Sequence, residues 1–287
     1  MDFFIILGFV GVIWGNERAA HKATINLSND FTGTLQFSGK LRANAGDNFI
    51  KSFGGTKTLI LDGVDIWTND SNTTDANGIG NIAVDVVVGS KTANEKGSNL
   101  YVAGSGITFS GNFEASGKNV EFANGTTNTF AGTNTTIGSL TQTSGTLTLS
   151  GETANIDTLT QTSGTLTLSG KTVNIGTLTQ TSGTLSFVGQ STIFSGSSAQ
   201  LGKLELKNGG NASLGNANGS ALTVTATNLQ IHNASENETE TLTVKSGTTL
   251  NITSENKDNA ISAGVLLGHW KEGKGILNVE RTNKSTR

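Results

Sequence analysis

Residues Ile137 to Asn155 read IGSLTQTSGTLTLSGETAN, Ile156 to Asn174 read IDTLTQTSGTLTLSGKTVN, and Ile175 to Ile193 read IGTLTQTSGTLSFVGQSTI. These near-identical units recur every 19 residues, a period that belongs to solenoids, propellers or arrays. Within each unit the apolar residues alternate: Leu147 and Leu149, Leu166 and Leu168, Leu185 and Phe187 stand two apart with Thr or Ser between them. Period two is the signature of a half-buried strand, and the Thr and Gly content disfavours a helix. Ser144-Gly145, Ser163-Gly164 and Ser182-Gly183 share one phase of the repeat, and Gly151, Gly170 and Gly189 share another. Such positions mark corners where the chain bends tightly. A unit this short, broken by two corners, cannot make a four-stranded propeller blade, so it reads as one coil of a β-solenoid.

The expected fold is therefore all-β, a right-handed parallel β-helix with 19–21 residues per coil over residues 23–279. A signal-like apolar segment, 1–22, precedes it and a polar tail, 280–287, follows. The pattern continues upstream as Val84-Val86-Val88, Leu100-Val102, Ile107-Phe109 and Val120-Phe122. Downstream, Leu222 and Val224 are expected to recur as Leu242 and Val244, and Leu229 and Ile231 as Leu250 and Ile252. Leu140, Leu147, Leu149, Leu159, Leu166, Leu168, Leu178, Leu185 and Phe187 are assigned to an inward ladder, because side chains two apart share a face. Alternation carries Gln142, Gln161 and Gln180 to the side of Leu140, Leu159 and Leu178. Either these amides stack inward and bond from rung to rung, or the strand ends at Thr141 or Thr143 and the Gln turns out. Retention of Gln in all three units favours the ladder. Thr141 and Thr143, Thr160 and Thr162, and Thr179 and Thr181 form a T-x-T array on the exposed side.

Composition narrows the function. The chain has 38 Gly, no Pro, no Cys and 14% charged residues. Pro is excluded from central strands, so a chain built almost wholly of paired strands avoids it. Without Cys there is no disulfide framework and no Cys-based zinc site. A net charge of −3 with scattered Lys and Arg argues against a nucleic-acid partner. Phe3 to Trp14 reads FFIILGFVGVIW, of signal-peptide length and too short for a membrane-spanning helix, and it points to export. Lys271-Glu272-Gly273-Lys274 reads as charged capping near the far end.

β-Helical enzymes need clustered carboxylates on neighbouring rungs. Asp62 with Asp65 reads as a turn, and Glu236, Glu238 and Glu240 as a solvated loop. His21, His232 and His269 each stand without a second ligand at metal spacing, and Gly104-Ser105-Gly106 lacks the Lys-Ser/Thr of a phosphate loop. No catalytic residue, metal site or cofactor is expected.

The SGTLTLSG repeats, with turns such as Asn208-Gly209-Gly210-Asn211-Ala212-Ser213-Leu214-Gly215, resemble the passenger domains of bacterial autotransporters, especially the vacuolating-cytotoxin-like group. The resemblance spans roughly Ala23 to Val279. It implies a secreted protein or one displayed at the outer-membrane surface, acting as an adhesin, a toxin-like factor or a structural stalk. The implied partners are a host cell-surface receptor or glycan, a translocating β-barrel from outside this chain, and end-to-end copies of the rod. On this view the chain is a fragment or relies on a separate carrier. Two alternatives accompany it. Gly11-Val12-Ile13-Trp14-Gly15 is a close-packing pattern, and the resembled cytotoxin uses a glycine-containing apolar segment to form pores. The T-x-T array is similar to the ice-binding faces of other β-solenoids.

Overall fold

Alternating apolar and β-branched residues leave strands as the regular elements of this chain. The computed structural model describes residues 4–7, 25–27, 34–42, 50–52, 57–67, 80–92, 97–123, 125–188, 192–207, 210–216, 218–231, 239–253, 265–267 and 274–279. Every regular element among them is a β-strand, paired in parallel with a strand of the neighbouring coil. The protein is an all-β parallel β-solenoid. It falls into two compact units, Met1–Leu147 and Thr148–Arg287.

In the first unit each coil contributes to three sheets. Leu35, Leu59, Val86 and Phe113 follow in register on the first sheet. Val64, Leu100, Val120 and Leu140 do so on the second, and Ile82, Phe109 and Phe130 on the third. All are buried. Successive partners are 24, 27 and 27 residues apart on the first sheet and 36, 20 and 20 apart on the second. The strands Phe113–Phe122 and Asn134–Gln142 run without a break from the first sheet to the second, with a register shift between Ala115 and Asn119. That bend requires glycine: Gly117 has φ 63, and a Cβ on Gly138 would lie 2.7 Å from the Gly117 Cα.

Side chains from all three sheets meet in an aromatic core. Phe130 stacks on Phe109 at 5.1 Å and meets Phe113 edge-on at 4.8 Å and Phe122 at 5.9 Å. These offset and T-shaped geometries match the ring quadrupole. Corners are tied rung to rung by side chains that accept backbone N–H groups. The Asn112 N–H donates to Asp85 Oδ1 at 2.8 Å, and the Asn134 N–H to Asn112 Oδ1 at 2.9 Å. Similarly, the Asn119 N–H donates to Asn99 Oδ1 at 2.9 Å and the Ile107 N–H to Asn128 Oδ1 at 3.0 Å.

The second unit uses aliphatic ladders. Leu166, Leu185, Leu204 and Leu229 stack in register on one sheet, with Leu168, Phe187, Leu206 and Ile231 beside them. Leu159, Leu178, Ala199 and Val224 stack on another, and Ala154, Val173, Phe194, Leu214 and Val244 on the third. All are buried. Each fully buried Leu contributes about 1.5–3 kcal/mol. The step is 19 residues from Leu166 to Leu185 and from Leu185 to Leu204, then 25 to Leu229.

That lengthening corrects the expected downstream register. Leu222 and Val224 pair with Thr248 and Leu250, and Leu229 and Ile231 pair with Val265 and Leu267. Leu242 pairs with Ala212 instead. The coils take in more residues here, so apolar pairs with an offset of 20 or 21 in the sequence belong to different sheets.

Candidate functional site

The strands that carry the repeat decide what faces in and what faces out. Leu140, Leu147, Leu149, Leu159, Leu166, Leu168, Leu178, Leu185 and Phe187 are all buried. Gln142, Gln161 and Gln180 are fully buried too. Gln142 Nε2 donates to the Thr126 carbonyl at 2.7 Å, and Gln180 Nε2 donates to Gln161 Oε1. The Gln180 Oε1 is buried and receives no hydrogen bond from a described residue. These amides are therefore internal polar fasteners, with no access to a ligand.

The outer side of the sheet built on Leu159 and Leu178 is different. Thr158, Thr177, Ser198, Thr223 and Thr249 form one file in strict register, and all five are exposed. A second file, two residues on, holds Thr160, Thr179, Gln200, Thr225 and Asn251. No charged residue occurs in either file. None of the ten side chains is hydrogen-bonded to another described residue. The expected T-x-T array maps onto this face only in part. Thr160 and Thr179 belong to it, whereas Thr162 and Thr181 are exposed beyond the ends of the strands Thr153–Thr160 and Thr172–Thr179. In the first unit Thr141 is half-buried and Thr143 exposed. The full file escapes the sequence because its steps are 19, 21, 25 and 26 residues. Only the first of these is visible as a repeat.

On the other outward faces of this unit some polar side chains bond one another across rungs. Asn174 Nδ2 donates to Asn155 Oδ1 at 2.9 Å, and Ser195 Oγ donates to Asn174 Oδ1. On the sheet of Leu185 and Leu204, Lys203 Nζ lies 2.9 Å and Lys207 Nζ 3.1 Å from the Glu205 carboxylate, which also accepts from Ser186 Oγ at 3.3 Å. Burial alone would raise the Glu205 pKa, but the hydrogen bonds and charges of the two lysines outweigh it and hold the carboxyl at about 2. The sequence signal was the alternation of Lys203, Glu205 and Lys207 on one strand face.

The sequence's candidate carboxylates do not assemble. Asp62 accepts from the Lys91 N–H at 3.1 Å and pairs with Lys91 Nζ at 3.2 Å. Partial burial raises its pKa, yet these Lys91 contacts leave it below the ordinary value. Asp65 and Glu240 are separately buried. Glu236, Glu238, His21, His232, His269 and the Gly11–Gly15 segment lie outside the described residues. Among the described residues no three His, Cys, Asp or Glu side chains are grouped to hold a metal ion, and no helix is long and apolar enough to cross a membrane. Phe4–Leu7 is a strand in register with residues 34–37.

These features define a class, a parallel β-solenoid with an uncharged outer face rich in hydroxyl and amide groups. Neither a protein-family model, nor a curated protein, nor a solved structure matches the chain.

Proposed function

We propose that the chain is a surface-displayed β-helical passenger that engages host surfaces, in the manner of the adhesin and toxin-like passengers it resembles. The observation that carries this reading is one outer face of the second unit. Its file from Thr158 to Thr249 holds five exposed hydroxyls in strict register, none bonded to another described residue. A scaffold that holds a row of unengaged hydroxyls at fixed spacing is suited to recognition. The stacked core beneath it keeps that row rigid without a cofactor.

The test is direct. Fluorescently labelled purified chain is titrated onto host epithelial cells, and saturable binding competed by unlabelled chain is the expected result. Linear, non-competable uptake sinks the reading.

A further inference from the structure

We propose that the face bearing Thr158, Thr177, Ser198, Thr223 and Thr249 is a binding strip for an extended, uncharged, β-linked glycan, laid along the direction in which the coils stack. The proposal rests on the surface-binding reading above and names its ligand class.

Three observations converge. The five hydroxyls repeat at the rung spacing of about 4.8 Å, close to the advance of one sugar residue in an extended β-linked chain. Successive sugars of a short chain therefore fall close to successive rungs. The ten side chains of the two files include no charge and bond no other described residue. The strip therefore attracts neither polyanions nor anionic membranes, and it presents hydroxyls and amides that both donate and accept, as sugar hydroxyls require. Finally, the second file is uneven: Gln200 and Asn251 carry amides beyond the height of the threonines. An uneven rim suits a chain held beside it, and it breaks the flat match that an ice lattice demands.

On the neighbouring face, Lys203 and Lys207 are both engaged by Glu205 and lie on a different sheet from the strip.

The experiment compares the full chain with two variants. Thr158→Val/Thr177→Val/Thr223→Val removes three hydroxyls and keeps the branched shape that strands favour, so the fold is retained. Thr165→Val/Thr184→Val makes the same change on the lysine-bearing sheet. Binding of cellohexaose, chitohexaose and a heparin hexasaccharide is measured by calorimetry, beside binding to host cells and thermal hysteresis. The expected result is binding of the neutral hexasaccharides, weakened at least about tenfold in the triple variant and unchanged in the control. Equal binding by the triple variant, binding of heparin alone, or hysteresis without glycan binding overturns the proposal. Cell binding that survives in the triple variant removes this strip and leaves the surface-binding reading standing. Failure of the unaltered chain to bind cells or glycans removes both.

Discussion

The two units reach the same coil by different packing. In the second, Leu166, Leu185 and Leu204 stack at a constant step, and the identity of each rung holds the register. In the first, Phe109, Phe113, Phe122 and Phe130 interlock across three sheets while the step varies from 20 to 36 residues. Register there depends on corner contacts such as Asp85 to Asn112 to Asn134. A ladder of identical aliphatic side chains requires like to sit on like, which leaves a trace in the sequence. An aromatic cluster with pinned corners tolerates insertions between strands and erases that trace.

The largest expected effect tests the aliphatic ladder. Leu166 is fully buried between neighbouring rungs, so Leu166→Asp buries an unpaired charge and costs on the order of 5 kcal/mol. Urea denaturation with hydrogen exchange in residues 153–207 measures it, and near-wild-type unfolding would break the register. Next comes the aromatic core. Phe130 touches three other rings, and Phe130→Ala should cost about 4 kcal/mol, read from exchange in residues 97–142. A loss below about 1 kcal/mol would mean that the corner contacts alone hold these coils.

How much of this the sequence disclosed follows from the same contrast. The solenoid, the buried leucines and the glutamines were legible because three copies superpose at one phase, and period two separates Leu166 from Thr167. The strip from Thr158 to Thr249 was not, since its register passes through steps that no repeat predicts. Nor was the pairing of Leu229 with Val265, because an apolar pair at Leu250 and Ile252 offered a shorter and equally regular alignment. Periodicity says that a strand exists and which side is apolar. It does not say which of three sheets the strand joins once coil length varies.

A smaller effect probes the charged face of the second unit. The Glu205 carboxyl is held at about 2 in the folded chain against an ordinary 4.5. A depressed folded pKa gives stability that is present above the ordinary value and lost as pH falls toward the folded one. Lys203 and Lys207 remain about a third exposed, so solvent screening reduces the contribution to about 1–2 kcal/mol. Stability should fall between pH 4.5 and 2, and Glu205→Gln should flatten that slope. An unchanged slope in the variant would show that the triad is electrostatically idle. Asp62, also lowered, would then be the group to replace next.

The smallest effect concerns the end of the amide ladder. Gln180 Nε2 donates to Gln161, while Gln180 Oε1 is buried without a donor. The Gln180 N–H bonds the Gln200 carbonyl at 2.6 Å, which sets Leu201 at the next rung of the same file, and a leucine there has nothing to donate. Leu201→Gln would supply an amide within reach, whereas Leu204→Gln on another sheet would stand above Leu185 and meet no acceptor. Both substitutions forfeit a buried leucine and both leave a carbonyl to satisfy, so these losses cancel in the comparison. What remains is one hydrogen bond gained against one buried donor left unmet, a difference of about 1 kcal/mol or somewhat more. Urea midpoints at constant m-value would register it as a milder loss for Leu201→Gln. Equal losses would mean that the Gln180 carbonyl already has a partner, and that the stacking of amides does not end where the 19-residue repeat gives way to the step of 21 between Thr179 and Gln200.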